Sequence, residues 1–127
     1  MKETATVNLW GKEITLAIDY DCDNESEILP IQRQALSDFV ANFKTVNDSL
    51  DEVKKYCLDR DGVDIPEKNI PDIFKYVTPE SIFIKTLRDK IFGIALMCEY
   101  AFDEECGIAV VFKDGKFVEV GSQDIIL

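Results

Sequence analysis

The sequence predicts an α+β domain. It should have an N-terminal β-hairpin, two to three helices, and a C-terminal antiparallel four-strand meander, with the helices packed on the sheet. Three observations carry this. Apolar residues alternate with a period of two at both ends of the chain, they recur about every four residues in the middle, and Asp114-Gly115 is a strong hairpin signal. A length of 127 residues fits a single domain, 1–127, with a core large enough to need no metal or disulfide.

The elements follow in order. Thr6 to Asp21 reads as a hairpin: Val7 and Leu9, then Ile14, Leu16 and Ile18, alternate with polar or small residues, and Gly11-Lys12 can supply the turn. Trp10 flanks that turn and is expected to pack over the hairpin edge. Residues 19–27 change texture. Asp19, Asp21, Asp23, Glu25 and Glu27 are acidic, no base interrupts them, and a loop is expected. Pro30 suits the first turn of a helix whose stripe is Ile31, Ala35, Phe39 and Phe43, widened by Leu36 and Val40. Ser49-x-x-Glu52 matches a capping box for a second helix with Leu50, Val53 and Cys57 on its apolar face, ended by Asp61-Gly62.

Pro66 and Pro71 break the chain, and Asp72 to Val77 should form one or two short helical turns. Ser81 to Leu87 alternates as a strand and Arg88-Asp89-Lys90 turns the chain. Ile91 to Tyr100 is apolar on both faces, as in a central strand. Ile108 to Lys113 and Phe117 to Val120 pair across Asp114-Gly115. The expected core is Ile31, Leu36, Phe39, Val40, Phe43, Val53, Ile94, Leu96, Val110 and Phe112.

Composition narrows function more than it names one. Twenty-five acids against 14 bases give a net charge of −11, so nucleic acid and anionic membrane are not expected partners. There is no histidine, which excludes Ser-His-Asp and Cys-His catalysis and His-ligated zinc. Cys22, Cys57, Cys98 and Cys106 form no C-x-x-C pair and read as reduced thiols. Residues 1–10 hold no apolar signal-peptide core, and no run approaches about 18 apolar residues, so a cytoplasmic protein is expected.

Asp19, Asp21 and Asp23 stand at the first three ligand offsets of an EF-hand loop. Asn24 replaces the required Gly and Pro30 the closing Glu, so no calcium site and no other metal or cofactor is expected. A second acidic cluster, Glu99 with Asp103, Glu104 and Glu105, could serve a metal-dependent hydrolase, but no base lies inside it. Cys106 sits among these carboxylates, which should raise its thiol pKa and quench it as a nucleophile.

The run Cys98-Glu99-Tyr100-Ala101-Phe102-Asp103-Glu104-Glu105-Cys106-Gly107-Ile108-Ala109-Val110-Val111-Phe112-Lys113-Asp114-Gly115, followed by Val118-x-Val120-Gly121 and Gln123-Asp124-Ile125, resembles the C-terminal signature of a family of small uncharacterised bacterial domains. Its members carry Cys-Glu, an aromatic residue and Asp-x-Glu-His-Gly before an apolar strand and hairpin; here Cys106 replaces the His. The resemblance implies bacterial origin, and similar small acidic proteins act as immunity proteins encoded beside toxins. The expected function is therefore a non-catalytic acidic binding protein that neutralises a basic toxin domain, such as a nuclease. Asp19, Asp21, Asp23, Glu25, Glu27, Asp103, Glu104 and Glu105 would meet the partner. The alternatives are the small hydrolase and an acidic housekeeping domain.

Overall fold

A computed structural model describes residues 3–21, 28–87 and 90–127. Six strands form one sheet in sequence order: β1 (Thr4–Leu9), β2 (Lys12–Tyr20), β3 (Val77–Leu87), β4 (Lys90–Tyr100), β5 (Ile108–Lys113) and β6 (Lys116–Gly121). Three helices separate β2 from β3: α1 (Pro30–Ala41), α2 (Lys44–Asp48) and α3 (Leu50–Asp61). The architecture is α+β, as the patterning predicts, and the N-terminal hairpin is present. The separate four-strand meander is a correction. β3 to β6 do run antiparallel, but β2 pairs with β3 in parallel, Ala17 opposite Ser81 through Tyr20 opposite Ile84. The hairpin and the C-terminal strands therefore make a single mixed sheet. The reason is the connection: the helices return the chain to the end of the sheet where β2 began, and parallel neighbours need such a crossover.

Two turns show why the hairpins close where they do. Leu9 pairs with Lys12, so the first turn is Trp10-Gly11, one residue earlier than expected, with φ of 52° and 86°. Asp114-Gly115 repeats this geometry at 52° and 76°. Two consecutive positive φ values are the mark of a type I′ turn, whose twist matches the strands. Trp10 bears the unfavourable backbone because its groups are tied down. Its amide donates to Asn47 Oδ1 at 2.6 Å and its indole to the Val46 carbonyl at 3.3 Å, which locks the hairpin to α2.

β3 begins at Val77 rather than Ser81. Pro79 argues against a strand interior, yet it sits beside a register shift, a place in a sheet where proline is tolerated. The stretch 72–77 accordingly shortens to one 3-10 turn, Ile73–Lys75. The Ser49 capping box does not form. The Ser49 hydroxyl donates back to the Val46 carbonyl, and the reciprocal bond appears at α1 instead, where the Leu29 amide donates to Gln32 Oε1 at 2.9 Å.

The core lies between the helices and one sheet face. Leu9, Leu16, Ile82, Ile84, Leu96, Val110 and Val53 are fully buried there. α1 lies over β3 and β4, while α2 and α3 reach β6. Of the expected core, Phe39, Val53, Ile94, Leu96, Val110 and Phe112 are buried; Leu36, Val40 and Phe43 are half-buried. Ile31 is the exception, 40% exposed at the start of α1. A smaller cluster of Ala95, Met97, Ala109, Val111 and Ile126 occupies the opposite face. No helix among the described residues is long and apolar enough to cross a membrane.

Candidate functional site

Among the described residues, the acids singled out in the sequence do not form one patch. Asp19 lies in β2 opposite Phe83. Asp21 follows the strand, its amide bonded to the Ile84 carbonyl and its Oδ2 accepting from the Thr86 amide at 3.2 Å. Asp23, Glu25 and Glu27 lie outside the described residues. Glu99 is opposite Thr78, near the other end of β3. Eight residues of strand separate Thr78 from Thr86, so the two acidic regions stand about 25 Å apart along the sheet. A standard interface covers roughly 800 Å² per partner, about 28 Å on a side. Both regions cannot lie at the centre of one contact.

The second cluster is also less free than its sequence suggests. Arg60, distant in sequence, reaches Asp103 Oδ2 at 2.9 Å, and Asp103 Oδ1 accepts from the Cys106 amide at 3.1 Å. The cluster therefore does have a base, which the local sequence could not show. Arg60 also lies 3.8 Å from Asp61 Oδ2 and stacks over the Tyr100 ring, while the Tyr100 hydroxyl donates to Asp61 at 2.7 Å. Burial and the bond to Asp61 push the Tyr100 hydroxyl far up, so it stays protonated. Glu104 and Glu105 remain exposed.

The thiols near this end are poor nucleophiles. Burial raises the pKa of Cys57 and raises Cys98 steeply. Cys106 is raised first by the Asp103 charge, then by burial and by Asp124 and Glu105, the direction that the sequence implies.

On β3 and β4, Glu80 occupies the register shift beside Glu99. A hydrogen bond with the Glu99 carboxyl raises the Glu80 pKa, with desolvation and the like charge adding to it. A raised carboxyl pKa contributes stability below the unfolded-state value, and this is lost as pH rises through the folded value. At neutral pH the pair is a repulsion. Glu80→Gln is therefore expected to raise the melting temperature at pH 7 and to leave it unchanged at pH 3.5. Thermal denaturation at the two pH values checks this; an equal shift at both would show that ionisation is not the cause.

Sequence reasoning missed one concave feature. A cleft of about 490 Å³ opens between α1 and the β5–β6 turn, at the same end of the sheet as Asp21. Its floor is Ala35, Phe39, Val46, Ile94 and Phe112, with Phe39 edge-on to Phe112 at 5.4 Å. Ile31 and Ile91 flank the floor, which explains the exposure of Ile31. Gln34, Asp38, Asn42, Thr45, Lys113 and Asp114 line the polar part. The available signal was the helical spacing itself: Asp38 and Asn42 alternate with Ala35 and Phe39 on one side of α1, giving a stripe with a polar border.

The fold and this site together define an α+β domain with an apolar, acid-edged cleft at one end of a mixed sheet. The chain belongs to the DUF6985 family, a domain of unknown function, which it matches over residues 1–127. No curated protein and no solved structure matches it.

Proposed function

We propose that this protein works by binding rather than by chemistry: a bacterial, cytoplasmic immunity-type inhibitor that captures a basic toxin domain, such as a nuclease. One observation carries the reading. The carboxylates of Asp38 and Asp114 border an apolar cleft at the end of the sheet that also holds Asp21. A rim with two carboxylates against one ammonium, Lys113, around an apolar depression suits a basic surface with an apolar centre. The net charge of −11 would steer such a partner over distances comparable to the Debye length, roughly 8–10 Å in physiological salt.

Metal-dependent hydrolysis at Asp103, Glu104 and Glu105 is the poorer reading, because Asp103 is already engaged by Arg60 and the Cys106 amide. Of the two acidic regions, the Asp21 end is the better partner face. The other is partly neutralised by Arg60.

On this reading an adjacent gene encodes a basic domain, and co-expression with that domain tests it. The expected outcome is relief of growth arrest and a one-to-one complex in size-exclusion chromatography. Unrelieved arrest with both proteins folded would refute it.

A further inference from the structure

We infer that the cleft beneath α1 is an anchor pocket for one apolar side chain, aromatic by preference, that the basic partner presents between cationic residues. This rests on the binding reading above and specifies its surface. The volume of about 490 Å³ is ample for one aromatic side chain together with parts of its neighbours. The floor of Phe39, Ile94 and Phe112 offers ring edges and branched methyls to such a group. Interface energy concentrates on apolar anchors that fill pockets ringed by polar groups, and aromatic anchors dominate among them.

Charge decides the flanks. Asp38 and Asp114 are both exposed at the cleft, and among the described residues neither is in an ion pair. The Asp38 carboxylate accepts from Gln34 Nε2 at 2.9 Å, which orients it without neutralising it. Among the described residues that line the cleft, Lys113 holds its ammonium 5.5 Å from the centre of the Phe92 ring. With no ion pair to either carboxylate among the described residues, both are assigned to a cation from outside. A protein side chain fits better than a free small molecule because Asp21 lies at the same end of the sheet, outside the cleft lining, where a larger basic surface would meet further charge.

Three tripeptides provide the test: acetyl-Arg-Phe-Arg-amide, acetyl-Arg-Ala-Arg-amide and acetyl-Glu-Phe-Glu-amide. Each is titrated into the intact protein while the methyl resonances of Ile31, Ile91 and Ile94 are followed by NMR. The Arg-Phe-Arg peptide is expected to shift all three saturably. Replacing its Phe by Ala should weaken binding about tenfold or more, since a buried ring is lost. The Glu-Phe-Glu peptide should leave the methyls unmoved. Asp38→Asn with Asp114→Asn should weaken the Arg-Phe-Arg peptide several-fold; Asn also tolerates the positive φ at Asp114, so the fold is kept. Ala35→Trp should abolish binding by filling the cleft, with circular dichroism confirming that the variant folds.

The inference is overturned if no methyl shift saturates. It is overturned equally if Phe and Ala peptides bind alike, if Glu and Arg flanks bind alike, or if 4-phenylbutylamine binds more tightly than the Arg-Phe-Arg peptide, which would mark a small-molecule site. Failure here, with salt-dependent capture of the neighbouring basic domain intact, removes the pocket and leaves the binding reading standing. A seated peptide without capture of that domain does the reverse.

Discussion

Leu96→Ala is expected to cost about 3–5 kcal/mol of folding stability, the range for emptying a fully buried leucine site that cannot collapse. Leu96 is at the centre of β4, opposite Ile82 of β3 and Val110 of β5, with no solvent exposure. All three side chains belong to the one core beneath the helices. Strands hold the backbone on both sides, so the void would remain largely open. Phe39→Ala should lie near the lower end of the same ~3–5 kcal/mol range, because one side of Phe39 already borders the cleft. Urea unfolding measures both. A loss below about 1 kcal/mol for Leu96→Ala would contradict the placement of this core.

Gly107→Ala is expected to cost about 3 kcal/mol, through backbone strain of about 1–2 kcal/mol and a disturbed buried contact of similar size. Gly107 has φ of 58°, and a methyl group there would lie 2.5 Å from the Cys98 carbonyl oxygen and 2.8 Å from Gln123 Nε2. Those two atoms are themselves hydrogen-bonded at 3.1 Å, and the Gln123 amide bonds the Cys106 carbonyl. The glycine thus allows the 103–107 turn to close against the C-terminal 3-10 turn, Gln123–Ile125. The same urea measurement applies; a cost under about 0.5 kcal/mol would mean that this junction relaxes freely.

What the sequence made legible follows its local periodicities. Alternation at Val7 and Leu9 and at Ile14, Leu16 and Ile18 located the first hairpin, and the Ile31–Phe43 stripe located α1. Asp114-Gly115 named its own turn, because that dipeptide suits consecutive positive φ values. The Trp10-Gly11 turn was displaced by one residue, since a tryptophan with positive φ is held by Asn47 and Val46, and nothing local to Trp10 encodes those partners. The parallel β2–β3 pair was illegible for a related reason. Strand order depends on where the crossover returns the chain, a property of the whole helical connection.

The site was less legible than the fold. Charge runs in 19–27 and 99–105 drew attention to two acidic segments, but the sheet puts Asp21 and Glu99 towards opposite ends of β3. Arg60, far off in sequence, modifies one of them. Ile31 reads as core by spacing and becomes the lip of a cleft, because α1 and the β5–β6 turn leave space between them. Pairing across tertiary distance is what a one-dimensional pattern omits.

Stopped-flow association with the basic domain that the proposed function expects from an adjacent gene, across roughly 50–500 mM salt, tests the central claim most directly. It compares the wild type with two variants: Asp38→Asn with Asp114→Asn at the cleft end, and Glu104→Gln with Glu105→Gln at the other. The wild-type rate should fall steeply with salt, the cleft-end variant should associate more slowly at low salt with a flatter dependence, and the other variant should track the wild type. Identical rates for all three proteins across the whole salt range would contradict an acidic capture face at this end of the sheet.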